Sequence, residues 1–527
     1  MLTLSPSSIS TLLYPQRCDL RGWLKRHRPE LEVKDFDAFQ TFLREDGERH
    51  EAELFEDLKK QFPDWINAGG REGTKVREKT ETAIADGRQM IYQGLLIQDE
   101  VEIGAEVRTV LGYPDFLLKT EKGYEIADAK LARSVYERKK NGELKVKNDK
   151  KYIELQLQLY GWLFGQQFPE LEFSLVILNG DGGRETVPYD EGKAAMQALA
   201  ELLDIETQAD QPWEPVGWSK CSACGFNTFC WPQAEEAEQT GLVPDLNQTL
   251  GRRLKDQKGI TRYPEMLNQI DAVDLAQIKS PSAGAKNEKN LAGAVRILEN
   301  AQALSRGETI LRDGAASHLA VLTDDQYVMF DLEGIPPNRE SREKIYLWGM
   351  QVFGKEKGDF LPAFAHFGDD GDEQGWSDFL EISRGILDQY PGIRFVHWAP
   401  YEKTKIKQYM KRFPDSDLET ALEVKANLLD LWPITKKTVA IPAPSYSLKV
   451  VERLPEVFQA TGFERGGGDE SADDEIKSGD ESIAAYMTAV ETNDQSEREE
   501  LMARLAAYNQ QDLEATWAVQ QWLRSLA

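Results

Sequence analysis

The chain has 527 residues, with 63 basic against 90 acidic side chains and a net charge of −27. Hydrophobic residues make up 41% and charged residues 29%, a globular composition that excludes a mostly disordered or fibrous protein. No run approaches the ~18 consecutive apolar residues of a membrane span, and so acidic a chain is a poor candidate for general coating of DNA or of an anionic membrane. The length predicts several domains. The opening segment, MLTLSPSSISTLLYPQRC, has neither a basic region nor a small-residue cleavage site, so the expected compartment is the cytosol. Acidity does not exclude a nucleic-acid enzyme, because metal sites need carboxylates and a basic channel can be local. Residues 138 to 151, RKKNGELKVKNDKK, are such a basic stretch.

In chain order, LREDGERHEAELFEDLKKQF carries apolar residues at helical spacing. MIYQGLLI, VEIGAEVRTVLGYPDFLLK and GYEIADAKLA read as strands with short turns, KYIELQLQLYGWLFGQQF as helix and FSLVILN as a further strand. That is an α/β unit over residues 1–238, closed by KCSACGFNTFCWP. Residues 239–320 are helical in pattern and lack obvious catalytic groups. LGRRLKDQKGITRYPEMLNQI predicts a plain helical connector, with a helix-hairpin-helix DNA clamp as the alternative. A second α/β unit, residues 321–527, starts at QYVMFDLEG, continues through the strands YLWGMQVFG and RFVHWA, and ends in helices. Within it ERGGGDESADDEIKSGDE is glycine-rich and acidic and predicts a solvated loop. No G-x-x-x-x-G-K-[ST] occurs, so the chain carries no P-loop motor.

The four cysteines form one pattern: Cys18, then Cys221, Cys224 and Cys230 as C-x2-C-x5-C. A C-x2-C turn puts two thiolates on one centre, a third closes a face, and a distant fourth would staple the N-terminus to the end of the same unit. Disulfides are disfavoured in the expected compartment. The spacing fits zinc or a four-thiolate iron–sulfur cluster and does not choose between them.

Asp115 follows LGYP, and Asp128 and Lys130 share a strand face in YEIADAK. Two carboxylates suit a hard divalent cation such as Mg²⁺, and Lys130 could act on the attacking water or the phosphate. His50 lies upstream on a predicted helix. Gln156 and Tyr160 are four apart on a helix and share its face. Taken together, D-x12-D-x-K followed by Q-x3-Y resembles the PD-(D/E)XK nucleases of the RecB type. The cysteine frame is similar to that of their iron–sulfur subgroup, which includes CRISPR-associated exonucleases and AddB-type subunits. The resemblance implies a [4Fe–4S] cluster on Cys18, Cys221, Cys224 and Cys230. It also implies metal binding by His50, Asp115 and Asp128, catalysis by Lys130, and DNA positioning by Gln156 and Tyr160.

In the second unit, Asp331 and Glu333 form D-x-E on one strand face, and Tyr508 and Asp512 form Y-x3-D on one helix face. This resembles the DEDDy exonucleases of the RNase H-like fold, including the ribonuclease H-like domains found beside RecB-like nucleases. The resemblance implies Asp331, Glu333 and Asp512 as ligands of Mg²⁺ or Mn²⁺ and Tyr508 as the water-orienting residue. The chain departs from the family at the second motif. An aspartate is expected just after a central strand, and the candidates here are Glu402 in HWAPYEKTKI and Asp430 in NLLDLWP. The expectation is therefore an α/β multidomain protein. A PD-(D/E)XK restriction-endonuclease-like core, a helical connector and an RNase H-like domain would together hydrolyse phosphodiester bonds. DNA is the expected substrate of the first site, DNA or RNA of the second, and a separate helicase the expected partner. The rival is a DNA-end binding or adaptor protein with an inactive C-terminal site.

Overall fold

The computed structural model describes residues 3–33, 38–70, 73–132, 134–139, 142–335, 343–368, 371–468 and 476–527. It is a mixed α/β multidomain protein. In the N-terminal half a six-stranded sheet runs Arg184–Val187, Glu172–Asn179, Gly123–Lys130, Phe116–Lys119, Met90–Tyr92 and Trp65–Asn67 in spatial order. Gly123–Lys130 is central, antiparallel to Phe116–Lys119 and parallel to Glu172–Asn179. Its alternation separates two cores. Tyr124 and Ile126 face a large cluster with the helix Lys151–Gln167, while Ala127 packs with Phe116, Val176 and Leu58 of the helix Ala38–Gln61. Asp128 and Lys130 continue the Tyr124–Ile126 face. Lys151–Gln167 buries Leu155, Leu157, Leu159, Leu163 and Phe164, more than one stripe of its surface, because it is enclosed by the sheet and by the helices Pro6–Leu13 and Lys193–Glu206.

Of the middle helices Gln248–Lys258, Tyr263–Gln269, Ala272–Lys279 and Glu288–Arg306, all but Tyr263–Gln269 begin at side-chain caps. Asn247, Asp271 and Asn287 accept from the backbone N–H three residues on. Leu250, Leu254, Met266, Leu275 and Ile297 form one core with Val216 and Cys221, so these helices pack directly on the cysteine segment. The strand Ile310–Leu311 pairs with Val439–Ala440 of the C-terminal half. Arg312 secures that junction through the Val439 carbonyl, Asn300 and the Tyr446 hydroxyl.

The C-terminal sheet has five strands in the order Phe360–Phe364, Lys344–Gly354, Gln326–Ile335, Arg394–His397 and Leu428–Asp430. The first three are antiparallel and the last two parallel to Gln326–Ile335, an RNase H-like topology. Val328, Phe330 and Leu332 of the central strand face the helix Gly371–Gln389. Tyr327 and Met329 face the other layer, where Leu513, Val519, Trp522 and Leu523 of the long helix Gln495–Ser525 are buried. Each such large apolar side chain contributes about 1.5–3 kcal/mol, which docks this helix firmly across the sheet.

Two segments singled out in the sequence take shape in the fold. The basic stretch forms a small hairpin, Tyr136–Arg138 with Leu144–Val146, its residues 140–141 lying outside the described ones. The acidic glycine-rich segment is not a solvated loop at either described end. Arg465 is drawn into ion pairs and Ile476 is buried, while residues 469–475 lie outside the described ones.

Candidate active sites

Asp331 and Glu333 sit on the face of Gln326–Ile335 that meets the long helix, just before a bulge between Glu333 and Gly334. Asp512 comes down from that helix. One carboxylate oxygen from each lies within 4.8 Å of the others, a grouping able to hold a metal ion. The approach depends on Gly349, which pairs with Asp331 in the adjacent strand. A Cβ there would lie 1.6 Å from Asn509 Oδ1, so only glycine admits the Asn509 side chain. Asn509 Nδ2 in turn donates to Asp331 Oδ2 at 2.7 Å. Glu333 accepts from Ser482 Oγ at 3.3 Å, and the Ser482 and Tyr346 hydroxyls are 2.6 Å apart.

Burial, with the charges of Asp512 and Glu402 behind it, pushes the Asp331 carboxyl well above the usual carboxylate range. Burial and the charges of Asp331 and Asp512 do the same to Glu333. Two cations answer this charge. Arg465 donates to Asp512 Oδ1 at 2.5 Å and makes a two-pronged pair with Glu452 at 2.7 Å on each prong. Lys449 Nζ donates to the Tyr508 hydroxyl at 2.8 Å, and burial pushes the Lys449 ammonium down.

The two second-motif candidates do different work. Glu402, in the first turn of the helix Tyr401–Arg412, is buried and its charge acts on Asp331. Its Oε2 lies 3.0 Å from His397 Nδ1. Asp430 ends its strand as the cap of the helix Leu431–Thr438, where its Oδ1 accepts from Ala399 N at 3.0 Å and Trp432 N at 3.1 Å.

In the N-terminal half Asp128 is 1% exposed and ion-paired with Lys130. Asp115, in the turn before Phe116–Lys119, accepts from Ala129 N at 2.7 Å, which fixes it beside the Asp128 strand. Burial first, then the Asp128 charge, pushes the Asp115 carboxyl well above its usual range, with Lys130 opposing. Burial alone would lower the Lys130 ammonium; Asp128 and Asp115 outweigh it and raise it. Glu51 also acts on Asp115 and accepts from Tyr92 OH at 2.8 Å and Gln93 Nε2 at 3.0 Å. Sequence reasoning passed over it, although it adjoins His50, which is buried on the same helix. Gln156 donates to the Tyr160 hydroxyl at 2.9 Å, and that buried hydroxyl donates to the Tyr113 carbonyl at 3.0 Å. A Cβ at Gly112 would meet the Tyr160 ring at 2.5 Å, so this glycine lets the tyrosine reach and hold the turn that carries Asp115.

Cys18, Cys221, Cys224 and Cys230 line one small cavity, and all four are unbridged. Cys18 caps the helix Asp19–His27 and accepts from Arg21 N at 3.4 Å. Leu20, Leu24 and Phe226 wall the cavity, and Arg21 and Lys220 bring positive charge to it. Burial pushes the Cys18 and Cys221 thiols up, and that of Cys230 up to about 12. Among the described residues no three of these sulfurs lie within 4.8 Å of one another, the grouping of that size being Asp331, Glu333 and Asp512.

Residues 328–524 match the family model of the RNase_H superfamily. The match runs from the central strand into the long helix and so takes in every carboxylate of the C-terminal group. No curated protein matches the chain. Two solved structures are similar. One is the crystal structure of SSO0001, 15% identical, with 43% of this chain and 85% of that chain covered and a TM-score of 0.26. The other is that of a "Putative exonuclease" from Eubacterium rectale, 13% identical, covering 42% of this chain and 93% of that chain, TM-score 0.25. No helix among the described residues is long and apolar enough to cross a membrane.

Proposed function

We propose that the chain is a metal-dependent nuclease with two separate sites. The observation that carries the reading is the C-terminal group: three carboxylates from the central strand and the long helix of an RNase H-like sheet, within 4.8 Å of one another. Buried acids so close repel one another, and a divalent cation would turn that repulsion into binding energy. Asp331, Glu333 and Asp512 would hold Mg²⁺ or Mn²⁺, with Glu402 as the second-motif ligand because its charge reaches Asp331 while Asp430 is engaged as a cap. Bound ions would supply a hydroxide-like nucleophile and neutralise charge on the scissile phosphate. Tyr508, its hydroxyl held by Lys449, would orient the attacking water, and Asn509 would hold Asp331 in place.

In the N-terminal half Asp115 and Asp128, with His50 and Glu51 on the facing helix, would bind the same kind of ion, and Lys130 would act on water and phosphate. DNA is the substrate class we infer for this site. Gln156 and Tyr160 would then support the reacting strand through the Asp115 turn. The four thiols would hold a [4Fe–4S] cluster rather than zinc. Four unbridged cysteines around one cavity are the donor set such a cluster needs, and the family resemblance favours it over zinc. The units would divide at 1–238, 239–320 and 321–527, a separate helicase would supply unwound substrate, and the cytosol is the inferred compartment.

The ion pair of Arg465 with Asp512 favours one second reading: a C-terminal site held closed by its own cation, on a protein that binds DNA ends. The deciding experiment is cleavage of end-labelled single- and double-stranded DNA by the purified protein with Mg²⁺ or Mn²⁺, with Asp331→Ala and Asp128→Ala beside it. The nuclease reading expects cleavage that each variant reduces in a different product class. Binding without cleavage would leave the adaptor.

A further inference from the structure

A cleft of about 610 Å³ lies where the cysteine segment, the middle helices and the C-terminal half meet. That is the size range of ligand pockets. Four aromatic side chains line it: Trp218 from the cysteine segment, and Trp398, Trp432 and Tyr446 from the C-terminal half. Trp218 is 43% exposed, far more than a tryptophan needed only for packing. Trp398 and Trp432 are half-buried, their edges fixed by the fold; Trp398 Nε1 donates to the Tyr446 carbonyl at 3.2 Å. Indole rings are flat, rigid platforms; Trp218 presents its ring to solvent, whereas Lys436 covers a face of Trp432 and Tyr446 is buried.

Three further features point to a ligand. The Ser447 hydroxyl lines the cleft, buried and without a hydrogen-bond partner. Lys436 lies over the Trp432 ring, 4.4 Å from its centroid, and pairs with Asp245 at 2.5 Å across the cleft. A phosphate would compete with Asp245 for it. Ala399, on the cleft wall, holds φ at 73°, a left-handed strain that a non-glycine residue rarely keeps without a use.

Two wall segments of the cleft lead along the chain toward the C-terminal site. Ala399 lies three residues before Glu402, whose charge acts on Asp331, and its N–H holds Asp430. Leu448 lines the cleft, and the next residue, Lys449, bonds the Tyr508 hydroxyl. Both wall segments therefore run straight into the proposed metal site.

We propose that this cleft is a base-stacking groove that takes single-stranded nucleic acid and delivers it to the C-terminal site. The proposal rests on the nuclease reading of that site and adds its substrate class. Paired bases are stacked on each other and cannot lie on protein rings, so a groove of this kind selects unpaired strands. Lys436 would take a backbone phosphate beside the stacked base, and Ser447 would bond a base or sugar edge.

The test is fluorescence-anisotropy binding of labelled oligo(dT) and oligo(rU), and of a duplex, to the full-length protein carrying Asp331→Ala and Asp128→Ala, so that no cleavage is needed. Trp218→Ala and Trp432→Ala should each weaken single-strand binding roughly 5- to 150-fold. Lys436→Gln should weaken it and lower the salt slope by about 1. Phe458→Ala, at an exposed ring outside the cleft, should change nothing. In the otherwise wild-type chain, bromodeoxyuridine or thiouridine cross-links should fall on cleft residues, a readout that needs no stable variant. A DNA-only or RNA-only response identifies the source of the strand. The proposal is overturned if folded Trp218→Ala and Trp432→Ala bind like their parent, if cross-links map elsewhere, or if duplex binds as tightly and is lost in parallel. A chain that cleaves but binds independently of the cleft sinks this inference alone. One that binds through the cleft but cleaves nothing sinks the nuclease reading alone.

Discussion

In the N-terminal group Asp128 meets its cation, Lys130, two residues along the same strand, whereas the C-terminal group crowds Asp331, Glu333 and Asp512 together and draws its cations from far away in sequence. Arg465 comes from the segment after the last short helices and Lys449 from the helix Leu448–Val451. The first site answers its acids, Asp115, Asp128 and Glu51, with a cation supplied locally. The second is a concentration of negative charge whose balance depends on long-range folding or on a bound ion. The difference teaches that the N-terminal chemistry should survive disturbance of the distant fold, while the C-terminal chemistry should respond to ions, pH and the Arg465 contact.

The largest effects expected are those that remove the chemistry. Asp331→Ala and Asp512→Ala should take trimming by the second site to background and leave the first site untouched, as read on gels of end-labelled products. Lys130→Ala should slow the first site on the order of 10²–10³-fold while metal affinity is largely kept, because the ammonium acts on water and phosphate. Normal cleavage by Lys130→Ala would remove the lysine from the mechanism and with it the contrast.

Next in size is the cysteine staple. Anaerobically prepared protein should be brown with about four irons, and Cys18→Ser should lose that colour. It should also lower the first thermal transition by about 5 °C or more, since the staple closes a loop from Cys18 to Cys221. A colourless protein with stoichiometric zinc would refute the cluster.

A smaller effect tests the charge contrast itself. The Asp331 carboxyl is raised in the folded state, so the metal-free fold holds that proton more tightly than the unfolded chain does. Its contribution is favourable at low pH and is lost as pH rises from the ordinary carboxylate range through the raised folded value. Asp331→Asn should therefore stabilise the metal-free protein more at high pH than at low pH, as judged by denaturant midpoints. Mn²⁺ should raise the melting temperature of the parent more at pH 8 than at pH 5 and should not do so in the variant. No gain at either pH would mean that the repulsion is already neutralised by Arg465 and Lys449.

Smallest are the hydroxyl deletions. Tyr508→Phe should reduce second-site turnover mildly, since no charge at the carboxylates is lost. Tyr160→Phe should cost about 1 kcal/mol through its bond to the Tyr113 carbonyl. A large catalytic loss with Tyr160→Phe at unchanged stability would instead place that hydroxyl on the substrate.

Which of these residues could be read from the chain follows from the same contrast. Asp115, Asp128 and Lys130 lie on one hairpin, so strand periodicity alone put them together. Asp331 with Glu333, and Tyr508 with Asp512, are likewise local pairs on one face. What joins the two pairs is the sheet order and the docking of the long helix, which no spacing reveals and which only the family resemblance supplied. Glu51 was hidden among the many acids of an amphipathic helix, where nothing local separates an inward acid from a solvated one. Arg465 was misjudged because its segment is acidic and rich in glycine, a composition that predicts solvation. Its ion pairs with Glu452 and Asp512 decide otherwise. Asn509 stayed invisible because its role depends on a missing side chain, Gly349, on another strand.

The most direct test of the central claim, that the C-terminal carboxylates form a working metal-dependent nuclease site, is cleavage in the Asp128→Ala background on 3′-labelled single strands of DNA and RNA with Mg²⁺ or Mn²⁺. Stepwise shortening of at least one strand type is expected, abolished when Asp331→Ala is added. Intact substrate in every lane of the Asp128→Ala protein, with either ion, would contradict it.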